Sequence, residues 1–361
     1  MRHGFVKVAA ATPKIKVADT VYNTEQIRLL MTESAAWGAR ITVFPELCIT
    51  GYTCQDLFLQ EKLIAGAKDA LMQLAEASAA IPGIYFVGLP YEINGKLYNV
   101  AAAISDGQVL GMVPKSWIPN YNEFYEMRHF ASGAELSTDV TLPDGSEVLV
   151  DREQLFVCEQ MNKLKIGVEL CEDLWTPNPP SIAHALAGAD VIVNLSASNE
   201  ITGKSAYRKE LVCGQSARLV SAYIYASAGE GESTQDLVFS GHNLIAENGR
   251  LLAESKRFRY GVIYTEIDVE KLIAERRRMT TFATQDGYVE TSFELEPEET
   301  KLTRYIDPAP FVPSDEGERA ERCEEILTIQ AMGLKKRLAH TGAAHAVVGI
   351  SGGLDSTLAL L

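Results

Sequence analysis

Three residue types that can cooperate in amide hydrolysis stand where strand-like segments of this chain end. Glu46 closes the segment "VFPE", Lys115 closes "VLGMVPK" and Cys171 closes "KIGVELC". A cysteine becomes an effective nucleophile when a nearby base accepts its proton. A carboxylate can be that base and can later protonate an amine leaving group, and an ammonium group can stabilise the oxyanion. Together the three residues suit acyl transfer through a cysteine thioester.

Each of these residues taken singly has an ordinary explanation without catalysis. Glu46 can be a solvated carboxylate at a strand end, Lys115 a surface lysine and Cys171 a small buried hydrophobic residue. The six histidines are scattered along the chain. The local signatures of papain-like or caspase-like enzymes are missing, so no histidine is assigned to the thiol.

Four longer segments carry a resemblance to a known family. They are "VFPELCITGY", "PKSWIPNYNEFYEMRHF", "GVELCEDLW" and "VNLSASNEITGKSAYR". They resemble the nitrilase superfamily of carbon–nitrogen hydrolases, and within it the glutaminase domains of glutamine-dependent NAD⁺ synthetases. The Glu–Lys–Cys order, with gaps of 69 (115 − 46) and 56 (171 − 115) residues, agrees with that pattern.

The resemblance implies a fold and a role for each residue. It implies a four-layer αββα sandwich of the α/β class, in which Glu46 is the base, Lys115 the oxyanion stabiliser and Cys171 the nucleophile. The backbone N–H of Glu172 is expected to share the oxyanion, as the first N–H after the nucleophile.

The same resemblance extends to the substrate pocket. It implies that Glu123, eight residues after Lys115, is the supporting glutamate of the family. It also implies that Tyr121, Ser198 and Lys204 hold the amino-acid end of glutamine.

Hydrophobic patterning and turn residues predict two domains. Residues 1–280 alternate strands, such as 5–11, with helices, and the dipeptides Asn94-Gly95 and Asn248-Gly249 predict hairpins. Asn23 and Thr24 are expected to cap the first helix. We count about ten strands and four or more helices, which indicates an α/β layered domain.

The rest of the chain has a different pattern. Residues 281–322 are Pro-rich and then charged, as linkers are, and residues 323–361 are expected to open a second domain. In that domain we predict a helix over 323–339, a strand over 346–350 and a helix over 356–361.

A Gly-rich turn lies between that last strand and helix. Glycines let backbone N–H groups approach phosphate oxygens at the start of a helix. A plain Gly turn is the alternative, but "SGGLDS" is similar to the pyrophosphate loop of ATP pyrophosphatases, with Asp355 as a candidate Mg²⁺ ligand. The predicted ATP-binding residues are Gly349, Ile350, Ser351, Gly352, Gly353, Leu354, Asp355 and Ser356.

Composition limits the partners and the compartment. The net charge of −15 argues against nucleic-acid and anionic-membrane binding. The six cysteines include no C-x-x-C pair, and the N-terminus lacks a signal-peptide pattern, so we expect a cytoplasmic protein. No apolar run reaches the length of a membrane span.

These patterns lead to one main hypothesis and two alternatives. The main hypothesis is a glutaminase domain, without a cofactor of its own, that supplies ammonia for the ATP- and Mg²⁺-dependent amidation of nicotinic acid adenine dinucleotide to NAD⁺. Because the chain stops just inside the second domain, we expect it to retain at most the glutaminase activity. The alternatives are a free-standing amidase of the same superfamily and a catalytically silent assembly domain; a homo-oligomer is expected under each.

Overall fold

The computed structural model describes residues 2–161, 164–296 and 298–361. These residues form two compact units that meet in sequence between Arg304 and Tyr305. Among the described residues, no helix has both the length and the apolar character that a membrane crossing requires. Each unit is described here by itself.

The first unit consists of two β-sheets and six α-helices. Its strands are β1 (Phe5–Thr12), β2 (Ile41–Val43), β3 (Ile84–Ile93), β4 (Lys96–Ser105), β5 (Gln108–Pro114), β6 (Ser137–Thr141), β7 (Glu147–Asp151), β8 (Gln154–Cys158), β9 (Lys165–Leu170), β10 (Val191–Ser196), β11 (Ala222–Ser227), β12 (Leu244–Glu247), β13 (Arg250–Glu254), β14 (Gly261–Asp268) and β15 (Val289–Phe293). Its helices are α1 (Thr20–Ala36), α2 (Glu61–Ser78), α3 (Glu172–Trp175), α4 (Pro180–Leu186), α5 (Lys204–Leu219) and α6 (Val269–Arg278).

The two sheets pack face to face. The first has the order β14-β1-β2-β3-β4-β5-β7-β6, and the second has the order β13-β12-β11-β10-β9-β8-β15. Phe86 of the first sheet meets Phe156 of the second edge to face, with ring centroids 5.6 Å apart, inside one apolar core. Burial of each such side chain stabilises the fold by about 2 kcal/mol.

Helices cover the outer face of each sheet. Ile27 of α1 and Leu71 of α2 pack with the first sheet, and Val212 of α5 packs with the second. The central strands are therefore buried on both faces, which explains their continuous apolar runs. The predicted αββα sandwich is confirmed.

The first helix begins one turn earlier than we predicted. Asp19 is its N-cap, and its carboxylate accepts the N–H of Tyr22 at 3.0 Å. The prediction of Asn23 and Thr24 as caps is wrong. The Asn23 amide instead donates to Ile49 O at 3.0 Å, because that buried carbonyl in the loop after β2 needs a donor.

The hairpin turns are confirmed. Asn94 and Gly95, between β3 and β4, have φ of 52° and 73°, and Asn248 and Gly249, between β12 and β13, have φ of 45° and 84°. Asparagine and glycine tolerate this left-handed region, so the dipeptide sets the turn locally.

The first unit extends past residue 280, where we expected it to end. Strand β15 pairs in parallel with β8, and its Phe293 is buried. Farther along, the Arg304 guanidinium donates to both carboxylate oxygens of Glu247, at 2.9 and 3.0 Å. Strand β15 is short, mostly exposed and at the edge of its sheet, so its hydrophobic pattern is weak. The sequence pattern therefore predicted a linker where the structure has a strand.

The second unit contains two helices, α7 (Glu316–Thr341) and α8 (Leu354–Leu360). The first begins well before residue 323, because the Asp315 carboxylate caps it by accepting the N–H of Glu318 at 2.9 Å. The predicted strand over 346–350 is wrong: in the described residues of this unit that segment pairs with no strand, and Val347 is 98% exposed. A strand needs partners for its backbone groups, and periodicity alone does not supply them.

Candidate active site

Glu46, Lys115 and Cys171 lie together in the interior of the first unit. Each follows the carboxyl end of a strand: β2 and β5 in one sheet, and β9 in the other. The exposed fractions are 0% for Glu46, 1% for Lys115 and 6% for Cys171. The face-to-face packing of the sheets therefore brings the three predicted groups into one buried cluster.

The Glu46 carboxylate is held from both sheets. Its Oε1 atom accepts from Lys115 Nζ and from the Asn99 amide of β4, each at 2.6 Å. Its Oε2 atom accepts the N–H of Ala197, just after β10, at 2.9 Å. Because each oxygen has a fixed partner, the carboxylate is held in one orientation.

The second carboxylate beside Lys115 belongs to Glu126, and not to Glu123 as the family resemblance implied. Lys115 Nζ lies 2.8 and 2.9 Å from the two Glu126 oxygens, and the Tyr52 hydroxyl donates to Glu126 at 2.7 Å. The Glu123 carboxylate turns away and accepts from the Asn199 amide at 2.6 Å. A short 3-10 turn over Glu126–Arg128 directs the later glutamate inward. Both glutamates stand in the segment "PNYNEFYE" that carries the resemblance, and the match alone did not distinguish between them.

The buried charges set the protonation states of the cluster. Burial acts to lower the pKa of Lys115, but the carboxylates of Glu126 and Glu46 outweigh it and hold that pKa well above its usual value. Burial raises the pKa of Glu126, against the attraction of the Lys115 charge. Lys115 is therefore a permanent cation at neutral pH, as a group that stabilises an oxyanion must be.

Cys171 lies at a strained turn between β9 and α3. Its φ is +41°, which is rare for a residue other than glycine and costs about 1–3 kcal/mol. Its N–H donates to Leu195 O at 3.0 Å. Burial, followed by the Glu46 charge, raises the pKa of the Cys171 thiol above its usual value. The resting nucleophile is thus a thiol, and it needs a base to react.

Sequence reasoning missed a third buried carboxylate, Asp173 in the first turn of α3. It accepts the N–H groups of Trp117 at 2.8 Å, Leu170 at 3.1 Å and Ser116 at 3.2 Å. Burial raises its pKa to about 7. The carboxylate joins the backbone just after Lys115 to the backbone just before Cys171, so it sets the distance between the two. Asp173 is visible in the sequence "CED", but no local pattern distinguishes a buried aspartate at this position from a solvated one.

Polar side chains surround the mouth of the site. The Tyr121 hydroxyl donates to the Glu172 carboxylate at 2.7 Å. Lys204 donates to the Asn199 amide oxygen, and its ammonium lies 5.2 Å from the Trp175 ring centroid. Burial lowers the pKa of Lys204, and the nearby Glu123 charge opposes that effect. The residues expected to bind glutamine thus lie close to the thiol.

The predicted phosphate loop lies in the second unit. Ser351 and Ser356 approach each other through their hydroxyls at 3.3 Å, and Gly352 has φ of 80°. At Gly349 and Gly352 an added Cβ would meet nothing within 4 Å, so the backbone is open to a ligand. These features fit a phosphate, and Asp355 at the start of α8 fits a metal bound to it. In the described parts of the chain, no group of three or more His, Cys, Asp or Glu side chains could by itself hold a metal ion.

This chain resembles a known protein family and a set of curated proteins. The carbon–nitrogen hydrolase family model matches residues 7–277. The chain is 40% identical over 372 aligned residues to the glutamine-dependent NAD(+) synthetase of Mycobacterium tuberculosis, covering 100% of this chain and 55% of that protein. It is 28% identical over 342 residues to the enzyme of the same name from Aquifex aeolicus, covering 94% and 55%. The chain spans about half the length of the curated relatives it matches.

Solved structures show the same architecture. The glutamine-dependent NAD(+) synthetase of Cytophaga hutchinsonii superposes with a TM-score of 0.66 and 29% identity, over 73% of this chain and 43% of that one. A nitrilase-superfamily amidase from Nesterenkonia superposes with a TM-score of 0.60 and 17% identity, over 77% and 96%. The second likeness shows the fold alone.

Proposed function

The chain belongs to the carbon–nitrogen hydrolase family, and we propose that it hydrolyses the side-chain amide of glutamine to supply ammonia to an NAD⁺-forming synthetase. One observation carries the hydrolase part: a buried Glu46–Lys115 ion pair lies beside the buried thiol of Cys171. The choice of glutamine is supported by the relatives, whose names specify glutamine-dependent NAD(+) synthetases.

The first half of the proposed cycle forms a thioester. Glu46 accepts the proton of the Cys171 thiol, and the sulfur attacks the amide carbon of glutamine. Lys115 and the Glu172 N–H stabilise the negative oxygen. Glu46 then passes the proton to the amide nitrogen, the C–N bond breaks and ammonia leaves. Because the Cys171 pKa is raised, this transfer to Glu46 is required for attack.

The second half releases glutamate. Water enters where ammonia left, and Glu46 accepts its proton as the oxygen attacks the thioester carbon. The same oxyanion groups serve again. When the C–S bond breaks, the proton on Glu46 returns to the sulfur, so the thiol is restored.

The polar groups at the mouth are proposed to bind the amino-acid end of glutamine. Lys204 supplies a positive charge for the α-carboxylate, and Tyr121 and Ser198 supply hydroxyls. The carboxylate of Glu172 lies beside Tyr121 and can face the α-ammonium group. This arrangement favours a zwitterionic substrate over a simple amide.

The synthetase activity is proposed for a longer protein that contains this chain, because this chain spans about half the length of its curated relatives. There the loop at 349–356 would hold the phosphates of ATP, and Asp355 would hold Mg²⁺. Bound ATP would adenylate nicotinic acid adenine dinucleotide so that ammonia can amidate it. We also propose a homo-oligomer in the cytoplasm, where the six free cysteines stay reduced.

Labelling with an electrophilic glutamine analogue, such as a diazo-ketone, tests the glutaminase proposal. We expect mass spectrometry to find the adduct on Cys171, with labelling much slower in Glu46→Gln. An excess of glutamine should protect the thiol, whereas butyramide should not. Equal protection by butyramide would indicate a general amidase, and an unmodified Cys171 in folded protein would contradict the proposed substrate.

A further inference from the structure

Arg208 of α5 is a fully buried arginine one layer behind the proposed substrate pocket. Its exposed fraction is 0%. One guanidinium nitrogen, Nη2, donates to Ser198 Oγ at 3.3 Å and to Asn199 O at 3.1 Å. We propose that Arg208 is a positioning residue that sets Ser198 and Asn199 for the amino-acid end of the substrate. This inference rests on the proposed glutaminase function.

The second terminal nitrogen of the guanidinium, Nη1, is held by partners on the side away from Ser198. Arg208 Nη1 donates to Glu200 at 3.1 Å and to His242 Nδ1 at 2.9 Å. Ser240 donates to the same Glu200 oxygen at 2.5 Å. Because both terminal nitrogens of the planar group have fixed partners, the group is held in its orientation toward Ser198.

The geometry also selects one form of His242. An arginine can only donate, so His242 Nδ1 must be an unprotonated acceptor. The ring proton is then on Nε2, which donates to Glu254 at 2.9 Å. Burial, the largest effect, lowers the pKa of His242 and so favours this neutral ring. His242 thus links the Arg208 guanidinium to the carboxylate of Glu254, which lies nearer the surface.

This bracing defines what Ser198 can do. Its oxygen accepts from Arg208, so the hydroxyl proton is left to point to another acceptor, such as a substrate carboxylate. Asn199 is held in the same way at its carbonyl, and its side chain in turn receives Lys204 and donates to Glu123. Arg208 therefore orders two predicted glutamine-binding residues from behind, Ser198 directly and Lys204 through Asn199.

Arg208→Lys is the direct test, because lysine keeps the charge but lacks two separate nitrogens. Ammonia release by the 361-residue chain is measured with glutamine and with butyramide, which lacks the α-amino and α-carboxylate groups. We expect the KM for glutamine to rise by roughly tenfold, with kcat changed by less than about threefold, since one or two charge-assisted hydrogen bonds are lost. The kcat/KM for butyramide should stay unchanged.

Two further variants separate positioning from general destabilisation. Ser198→Ala should raise the same KM, and adding Arg208→Lys to it should then have a smaller effect than in the wild type. Arg276→Lys is the matched control, because Arg276 pairs with buried Asp190 at the opposite end of β10. It should lower stability but leave the KM for glutamine within about twofold.

The outcomes distinguish this inference from the proposed function. A fall in kcat shared by both amides, or effects of Arg208→Lys and Ser198→Ala that multiply, would overturn the positioning role. If the wild type hydrolyses neither amide, calorimetric binding of glutamine to Cys171→Ala and to its Arg208→Lys double variant makes the same comparison without turnover. An absence of glutamine binding to Cys171→Ala would overturn both proposals.

Discussion

Lys115 Nζ lies 2.6 Å from Glu46 Oε1, so the proposed base and the proposed oxyanion stabiliser form one buried ion pair. Neither side chain is exposed to water, so the two groups contact each other without screening by solvent. A change at either residue therefore alters both proposed roles. The ammonium group of Lys115 also pairs with a second carboxylate, that of Glu126, so its charge is shared between two acids.

Glu126→Gln and Glu123→Gln form a matched pair. With Glu126 neutralised, Lys115 pairs with Glu46 alone, and Glu46 becomes a weaker proton acceptor. We expect the kcat of glutamine hydrolysis to fall by about 10- to 100-fold in Glu126→Gln. Glu123→Gln should change kcat by less than about threefold. A larger kcat effect from Glu123→Gln would return the supporting role to that residue.

Alkylation of cysteines in one sample tests the protonation of the nucleophile. Iodoacetamide at pH 8 should modify exposed Cys323 at least about tenfold faster than Cys171, whose thiol is buried and protonated. A diazo-ketone glutamine analogue should reverse that order. Burial raises the pKa of Cys48 to about 12, so this residue should resist both reagents. Fast modification of Cys171 by iodoacetamide would indicate a thiolate in the resting enzyme.

Asp173→Asn tests the carboxylate that joins the segments of Lys115 and Cys171. An amide has one acceptor oxygen, so some of the three backbone N–H groups lose their partner, at about 1–3 kcal/mol. We expect kcat to fall by at least about tenfold, with little change in KM. Asp190→Asn, at a buried aspartate at the start of β10, should lower the unfolding free energy without this loss of kcat.

His184 predicts a stability change in acid. It is buried between Val168 O, which accepts from Nε2 at 2.9 Å, and the Tyr288 hydroxyl, and burial lowers its pKa to about 4 from 6.5. Between these values the unfolded chain binds one more proton, so stability is present above pH 6.5 and is lost as pH falls through 4.

The loss should reach up to about 3 kcal/mol in the unfolding free energy. Urea denaturation of the wild type and His184→Gln at pH 7 and pH 4 isolates the contribution of this residue. The advantage of the wild type should shrink by that amount at the lower pH. An advantage that stays constant would mean that His184 is not held neutral.

Truncation tests where the first unit ends. A chain of residues 1–304 should unfold at the same temperature as this unit in the full chain. A chain of residues 1–280 loses the pairing of β15 with β8, the buried Phe293 and the Arg304–Glu247 ion pair. We expect its melting temperature to fall by roughly 10 °C. Equal melting temperatures would place the boundary near residue 280.

The sequence by itself determined the fold class, the hairpin turns and the three predicted catalytic residues. Turns such as Asn94-Gly95 depend on local φ preferences, and the apolar runs of β9 and β10 mark strands buried on both faces. Glu46 and Cys171 were predicted from their places at strand ends together with the resemblance of the surrounding segments to the nitrilase superfamily, and both are local features of the sequence. Information of this kind lies within a few neighbouring residues.

Only the tertiary structure decided which acids serve the cluster. Glu123 and Glu126 lie three residues apart in the sequence. Glu126 is the one that points inward, because Tyr52 and Lys115 donate hydrogen bonds to its carboxylate. Asp173 and Arg208 likewise acquire their roles from backbone groups and side chains that are distant in sequence. The charge states of these groups follow from burial and from charges brought close by packing, and neither exists before the two sheets meet.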